Sequence, residues 1–148
     1  MTPFPVSRHL LLVALLVTAT LSAATTVRAN EVAAVVSTKL QVVSLTTDQL
    51  SDIYLGRSNR FPDGTIAIPC DLAEGSPLRE VFYTRVLGKS QAQIKAHWSK
   101  IIFTGRGQPP RQVTSSGEAK RLAADNPGVV CYIEADAVDP SVRAVLVR

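Results

Sequence analysis

Residues 66–82 read IAIPCDLAEGSPLREVF, an apolar run that passes through one turn directly into a helical pattern. Gly75-Ser76-Pro77 sits at the junction. Serine suits an N-cap, where its hydroxyl accepts from an otherwise unpaired amide. Proline suits the first helical position, where its missing N–H costs nothing. A strand feeding a helix through such a corner turns free amides and the positive end of a helix dipole outward, so the corner can hold an anion.

The same alternation of strand and helix recurs along the chain. Residues 32–36 form a short continuous apolar run, the pattern of a strand buried on both faces. Thr46-Thr47-Asp48-Gln49 has capping-box spacing, with Leu45 and Leu50 placed as a hydrophobic staple. Leu50, Ile53 and Tyr54 then share one helical face, and Gly56 ends it. Pro62-Asp63-Gly64 is a turn signal. The helix opened by Ser76 carries Leu78, Val81, Phe82 and Val86 and stops at Gly88. A second capping box, Ser90 with Gln93, starts a helix with the face Ile94, His97, Trp98 and Ile101; residues 104–110, TGRGQPP, cannot be regular structure. Ser115 and Glu118 make a third box, and Ala119, Leu122 and Ala123 back that helix onto the core until Asn126-Pro127-Gly128 stops it. Residues 129–133 are a strand and residues 142–147 a last one. The predicted fold is α/β: one three-layer lobe with a mostly parallel sheet flanked by helices.

The first 29 residues read as a secretory signal peptide. Arg8 and His9 give a short basic start, and residues 10–24 are apolar but fall short of the ~20 residues that span a bilayer. Val27-Arg28-Ala29 places small or aliphatic residues where a signal peptidase reads, with Ala24 as the alternative cleavage point. No Cys follows the apolar run directly, so no lipoprotein anchor is expected. The predicted product is periplasmic, and residues 30–148 form a single domain. Arg8 and Arg28 account for two of the sixteen basic residues, leaving fourteen against twelve acidic ones, a net charge of +2. With no Lys/Arg run, nucleic acid is excluded as a partner.

Cys70 and Cys131 are the two cysteines, both in apolar strand-like segments of an exported chain. That permits a disulfide; two separately buried thiols are the alternative. There is no CxxC motif and no metal-ligand spacing, so no cofactor is expected. Catalysis gains no support. Beyond the leader His97 is the only histidine, and no nucleophile setting accompanies it.

The motif order carries a resemblance. Asp52-Ile53-Tyr54-Leu55-Gly56 followed by Arg57-Ser58-Asn59-Arg60-Phe61 corresponds to a short helix ending in "IFxG" and a Trp/Asn-rich loop. Gly75-Ser76-Pro77-Leu78 with Phe82 corresponds to an anion-binding "GSGT" turn at a helix N-terminus. Gly128-Val129-Val130-Cys131-Tyr132 corresponds to "G-x-[IV]-G-Y". In this order they resemble one lobe of a type II periplasmic binding protein, of the phosphate-type substrate-binding proteins that serve ABC transporters. The resemblance implies a single such lobe, exported and non-catalytic, that binds phosphate or a similar small oxyanion. It departs from the family where Leu72 stands in place of an arginine and Pro77 and Leu78 replace the glycine and threonine of the turn.

The candidate ligand residues are Gly75 and Ser76 at the corner, with Arg79 one turn on. Arg79 can add charge to an anion or pair with Asp71 or Glu80. Thr104 and Arg106 lie in a Gly-rich loop whose amides can form a nest, with Arg111 nearby. Thr38, after the first strand, stands where doubly wound sheets receive ligand. Each has a plainer alternative as a helix cap, solvated loop or polar turn. His97 and Trp98 read as a packed core edge, and Tyr132 as wall or core. The expected partners are a phosphate-like anion and a membrane transporter. The second reading is a non-catalytic interaction module, docking on a transporter, a sensor or its own twin as a homodimer, with a vestigial ligand site.

Overall fold

The computed structural model describes residues 31–148; the predicted signal peptide lies outside the described residues. Each predicted serine or threonine cap starts a helix. Thr46 caps α1 (Thr47–Tyr54) and Ser90 caps α3 (Gln91–Phe103), both as full capping boxes. Ser76 caps α2 (Pro77–Val81), which continues as a π-helical turn, Phe82–Val86. Ser115 caps α4 (Ser116–Asp125), but here the expected box is shifted: Glu118 reaches past Ser115 to the backbone N–H and hydroxyl of Thr114.

The strands are β1 (Val32–Ser37), β2 (Ser44–Leu45), β3 (Ile68–Leu72), β4 (Arg111–Val113), β5 (Val129–Glu134), β6 (Val142–Ala144) and β7 (Leu146–Val147). Five of them form one sheet in the order β4-β3-β5-β1-β6, and β2 pairs with β7 in a small parallel ribbon. β3 runs parallel to both β4 and β5. β1 is the exception, antiparallel to β5 on one side and β6 on the other. Three of the five pairings are thus parallel, and the direction of β1 matters below. The last predicted strand is broken in two at Val145, whose N–H turns to the carbonyl of Ala34 while Leu146 leaves for the ribbon.

The core fills the space between this sheet and its helices. β1 and β5 are buried along most of their length, as expected for central strands, and Leu50, Ile53 and Tyr54 of α1, Phe82 and Tyr83, Ile94 and Trp98 of α3, and Ala119 and Ala123 of α4 close over them. Gly56 is needed where α1 ends: its φ is +69°, and a Cβ there would sit 2.9 Å from Cη2 of Trp98. A disulfide joins Cys70 of β3 to Cys131 of β5, one register step beyond the Pro69–Val130 pair, with Cα atoms 5.2 Å apart. The ring it closes spans a sequence separation of 61 and constrains the unfolded chain by about 4 kcal/mol in the chain-entropy account.

Candidate functional site

The three mutually parallel strands end at the same rim. β3 ends at Leu72 and leads through Ala73 to the Ser76 corner. β4 ends at Val113 and leads to Thr114 and Ser115, and β5 ends at Glu134. Between them lies a pocket of about 410 Å³, lined by Leu72, Ala73, Ser76, Pro77, Leu78, Val81, Thr114, Ser115, Ser116 and Glu134. Ligands of α/β sheets bind outside the carboxyl ends of parallel strands, and this is that position. Gly75 adopts φ +91°, the left-handed turn that lets the chain leave β3 and enter α2.

Two serine-capped helix starts therefore face one pocket. Ser76 Oγ accepts from the Arg79 N–H at 3.5 Å, and Ser115 Oγ accepts from the Glu118 N–H at 3.2 Å. The amides of Leu78, Ser116 and Gly117, in the first turns, have no partner among the described residues. Both helix dipoles point their positive ends at the pocket. The charged side chain in the lining is of the other sign: Glu134 contributes a carboxylate, and no Lys or Arg lines the pocket. Glu118 stands beside it, its carboxyl held below the usual range first by the Thr114 N–H and then by the Thr114 hydroxyl.

The sequence-predicted residues divide sharply. Gly75 and Ser76 stand at this rim. Arg79 is turned the other way. Its Nε donates to Asp71 Oδ2 at 3.0 Å, its Nη1 donates to Gln91 Oε1, and its guanidinium lies 4.8 Å from the centre of the Tyr83 ring. Asp71 is 4 % exposed and also accepts from the hydroxyls of Tyr83, at 2.8 Å, and Tyr132. Arg79 is the buried counter-ion of Asp71, the pairing its place in the sequence offered as the alternative to holding an anion.

Thr38, Thr104 and Arg106 lie at the opposite end of the sheet. β1 runs antiparallel, so its carboxyl end lies level with the start of β5, where Val36 pairs with Val130. Thr38 follows it, roughly 15 Å from the rim at ~3.3 Å of strand rise per residue. Its carbonyl accepts from Arg143 Nη2. Residues 104–110 precede β4 and so meet the sheet at that same far end. Thr104 is the C-cap of α3, and its hydroxyl donates to the carbonyl of Lys100 at 2.9 Å and of Ile101 at 3.1 Å. Arg106 is exposed. The corner does not share a site with these three.

Thr114, Ser116 and Glu134 were not legible as site residues. Ser115 was legible as a cap, but β4 is three residues long and follows Pro109-Pro110, too short to read as a strand. Without β4 beside β3, nothing in the sequence places the second cap against the first. His97 and Trp98 are core-edge residues as expected: His97 Nε2 donates to the Leu55 carbonyl at 2.8 Å. Among the described residues no group of His, Cys, Asp and Glu is placed to hold a metal, and no helix is long and apolar enough to cross a membrane.

No protein-family model matches the sequence, and no curated protein matches it. Solved structures do match. A protein from Clostridium perfringens, assigned as a phosphate ABC transporter substrate-binding protein and solved with bound phosphate, is similar at TM-score 0.62 and 22 % identity over 78 % of this chain. An ABC-type phosphate transport receptor from Vibrio cholerae is similar at TM-score 0.61 and 22 % identity over 78 %. PstS from Borrelia burgdorferi is similar at TM-score 0.59 and 12 % identity over 79 %. The matches cover 44 %, 45 % and 47 % of those chains, so this chain spans about half their length. The fold is that of one lobe of these substrate-binding proteins.

Proposed function

We propose that this chain, with the fold of one lobe of a phosphate-type substrate-binding protein, is an exported solute-binding lobe that takes a small phosphate-like oxyanion at the strand-end rim. The observation that carries this reading is the convergence of two serine-capped helix starts, at Ser76 and Ser115, on one pocket at the carboxyl ends of β3, β4 and β5. Unpaired amides and hydroxyls there can donate to an oxyanion, and the two dipoles favour its charge. An ABC transporter is the partner this reading implies.

Affinity in this reading is weak. The anion would meet no arginine in the lining, because Leu72 and Pro77 hold the near wall and Arg79 is bound to Asp71. Glu134 opposes it. Calorimetry and thermal shift of the protein with phosphate and sulfate test the reading: saturable binding at millimolar ligand is expected, and Ser76→Ala should weaken it. Neutralising the opposing charge with Glu134→Gln should tighten binding about fivefold, the worth of a unit-charge repulsion near 4 Å in water. No heat and no shift with either anion, in the protein and in Glu134→Gln alike, would sink the proposal.

The second reading, a non-catalytic interaction module, is favoured by one observation. At the other end of the sheet Phe103 is 93 % exposed and Ile102 56 % exposed. Side chains of this size in water are what a docked transporter or sensor would cover.

A further inference from the structure

Charge is divided unevenly along this chain. Residues 81–117 contain six basic residues, Arg85, Lys89, Lys95, Lys100, Arg106 and Arg111, and no Asp or Glu. The other eight basic residues of 30–148 share the remaining sequence with all twelve acidic ones. A net charge near zero therefore hides a basic segment, and α3 runs through its middle. All six but Lys89 are exposed. Acidic groups touch the segment at two places: Glu74 Oε1 lies 3.9 Å from Lys95 Nζ, and Glu118 feels Arg111. Lys100 and Arg106 have no acidic partner among the described residues.

These two free cations flank the most exposed apolar side chains of the molecule. α3 packs inward through Ile94, Trp98 and Ile101. Its outward line is Ala92, Ala96, Ser99 and Phe103, all exposed, with Lys95 to one side and Lys100 to the other. Phe103 is 93 % exposed and Ile102 56 % exposed at the end of that line. The Arg106 N–H donates to the Ile101 carbonyl at 3.1 Å, so the loop folds back on the last turn of α3 and holds its arginine beside the same tip.

A protruding phenyl ring among unpaired cations suits a surface that is hydrocarbon beneath and anionic on top. Lysine is depleted in the cores of protein–protein interfaces. It is favoured at lipid interfaces, where its stem lies on hydrocarbon and its ammonium reaches the phosphates. We propose that the C-terminal tip of α3 docks on an anionic phospholipid bilayer, with Phe103 and Ile102 entering the headgroup boundary and Lys100 and Arg106 on the lipid phosphates. Docking there leaves the rim pocket, at the opposite end of the sheet, facing away from the lipid. The proposal does not rest on the oxyanion reading.

Residues 30–148 carry every described element and the core, and they are the form to test, because the apolar stretch 10–24 would bind lipid by itself. Sedimentation with vesicles of phosphatidylcholine and phosphatidylglycerol in equal parts should show saturable binding, and phosphatidylcholine alone should show none. Raising the salt from about 0.1 M to about 1 M, which shortens the Debye length from ~10 Å to ~3 Å, should release most of the protein. Phe103→Ala should weaken partition about tenfold, the worth of burying such a ring in part. Lys100→Gln and Arg106→Gln should each weaken it about fivefold, the worth of one basic side chain at an anionic surface. Arg121→Gln, at an exposed position of α4 outside the segment, should leave it unchanged. No binding to the mixed vesicles overturns the proposal, as does a loss with Arg121→Gln equal to that with Lys100→Gln. So does capture by cell membranes that protease treatment of those membranes abolishes while pure lipid captures nothing, which would assign the tip to an acidic protein instead.

Discussion

The Ser76 corner and the Thr104–Gly105–Arg106–Gly107 loop offer similar chemistry on paper: a hydroxyl, a left-handed glycine and a nearby arginine. Their surroundings differ in every respect that counts. The corner comes after a strand, faces a second helix start and rests on a buried carboxylate that consumes its arginine. The loop precedes a strand, its hydroxyl closes the end of α3, and its arginine is in water. Strand direction separates them, since parallel β3, β4 and β5 deliver to the rim only the segments that leave their carboxyl ends. Residue type nominates a site, and chain direction decides which nominees meet.

The comparison predicts a graded set of effects. Asp71→Ala strikes the support of the corner, leaving Arg79 as a buried charge without its partner and the Tyr83 and Tyr132 hydroxyls unpaired. It should cost about 3–5 kcal/mol by urea denaturation. The loop has no such support, and Arg106→Ala should change stability by no more than about 0.5 kcal/mol. Equal costs for the two variants would erase the distinction.

A titration of the same network gives the next effect. Tyr54, Tyr83 and Tyr132 are all the tyrosines of the chain, and each is at most 1 % exposed. Burial first, then neighbouring negative charge including that of Asp71, pushes all three hydroxyls above their ordinary value of 10.0. A group whose folded value is raised contributes stability that is whole below its unfolded value and is lost as pH rises beyond it. The protein should therefore lose stability above about pH 10, and tyrosinate absorbance should appear only together with unfolding. Tyrosinate formed while near-ultraviolet dichroism stays native would contradict the closed network.

Removing the caps is the smallest test. Ser76→Ala and Ser115→Ala should each cost about 1 kcal/mol. Both should also weaken any phosphate response, whereas Thr104→Ala should leave it unchanged. If Thr104→Ala weakens it and Ser115→Ala does not, the two ends of the sheet have been assigned the wrong way round.

Local signals carried the reading of the fold. The Thr46, Ser76, Ser90 and Ser115 caps each start a helix because capping is settled within four residues of sequence. The apolar runs at 32–36 and 129–133 became central strands because their burial leaves no polar face. What escaped was set by partners distant in sequence. β4 exists because residues 111–113 lie beside Cys70, Asp71 and Leu72. The antiparallel course of β1 is fixed by its slot between β5 and β6, not by its own side chains. Thr38 follows a strand whose direction the sequence does not reveal, the 104–107 loop has the residue types of an anion nest without the position, and of the two roles open to Arg79 the structure shows the pairing with Asp71.

The cystine between β3 and β5 has a bearing on how the molecule withstands damage. Residues 104–110 stand exposed except at Pro110, an inviting stretch for proteolysis, and they fall inside the covalent ring from Cys70 to Cys131. A single cut there yields two fragments still tethered through sulfur, so the wounded protein keeps its sheet and falls apart only when a reductant is added.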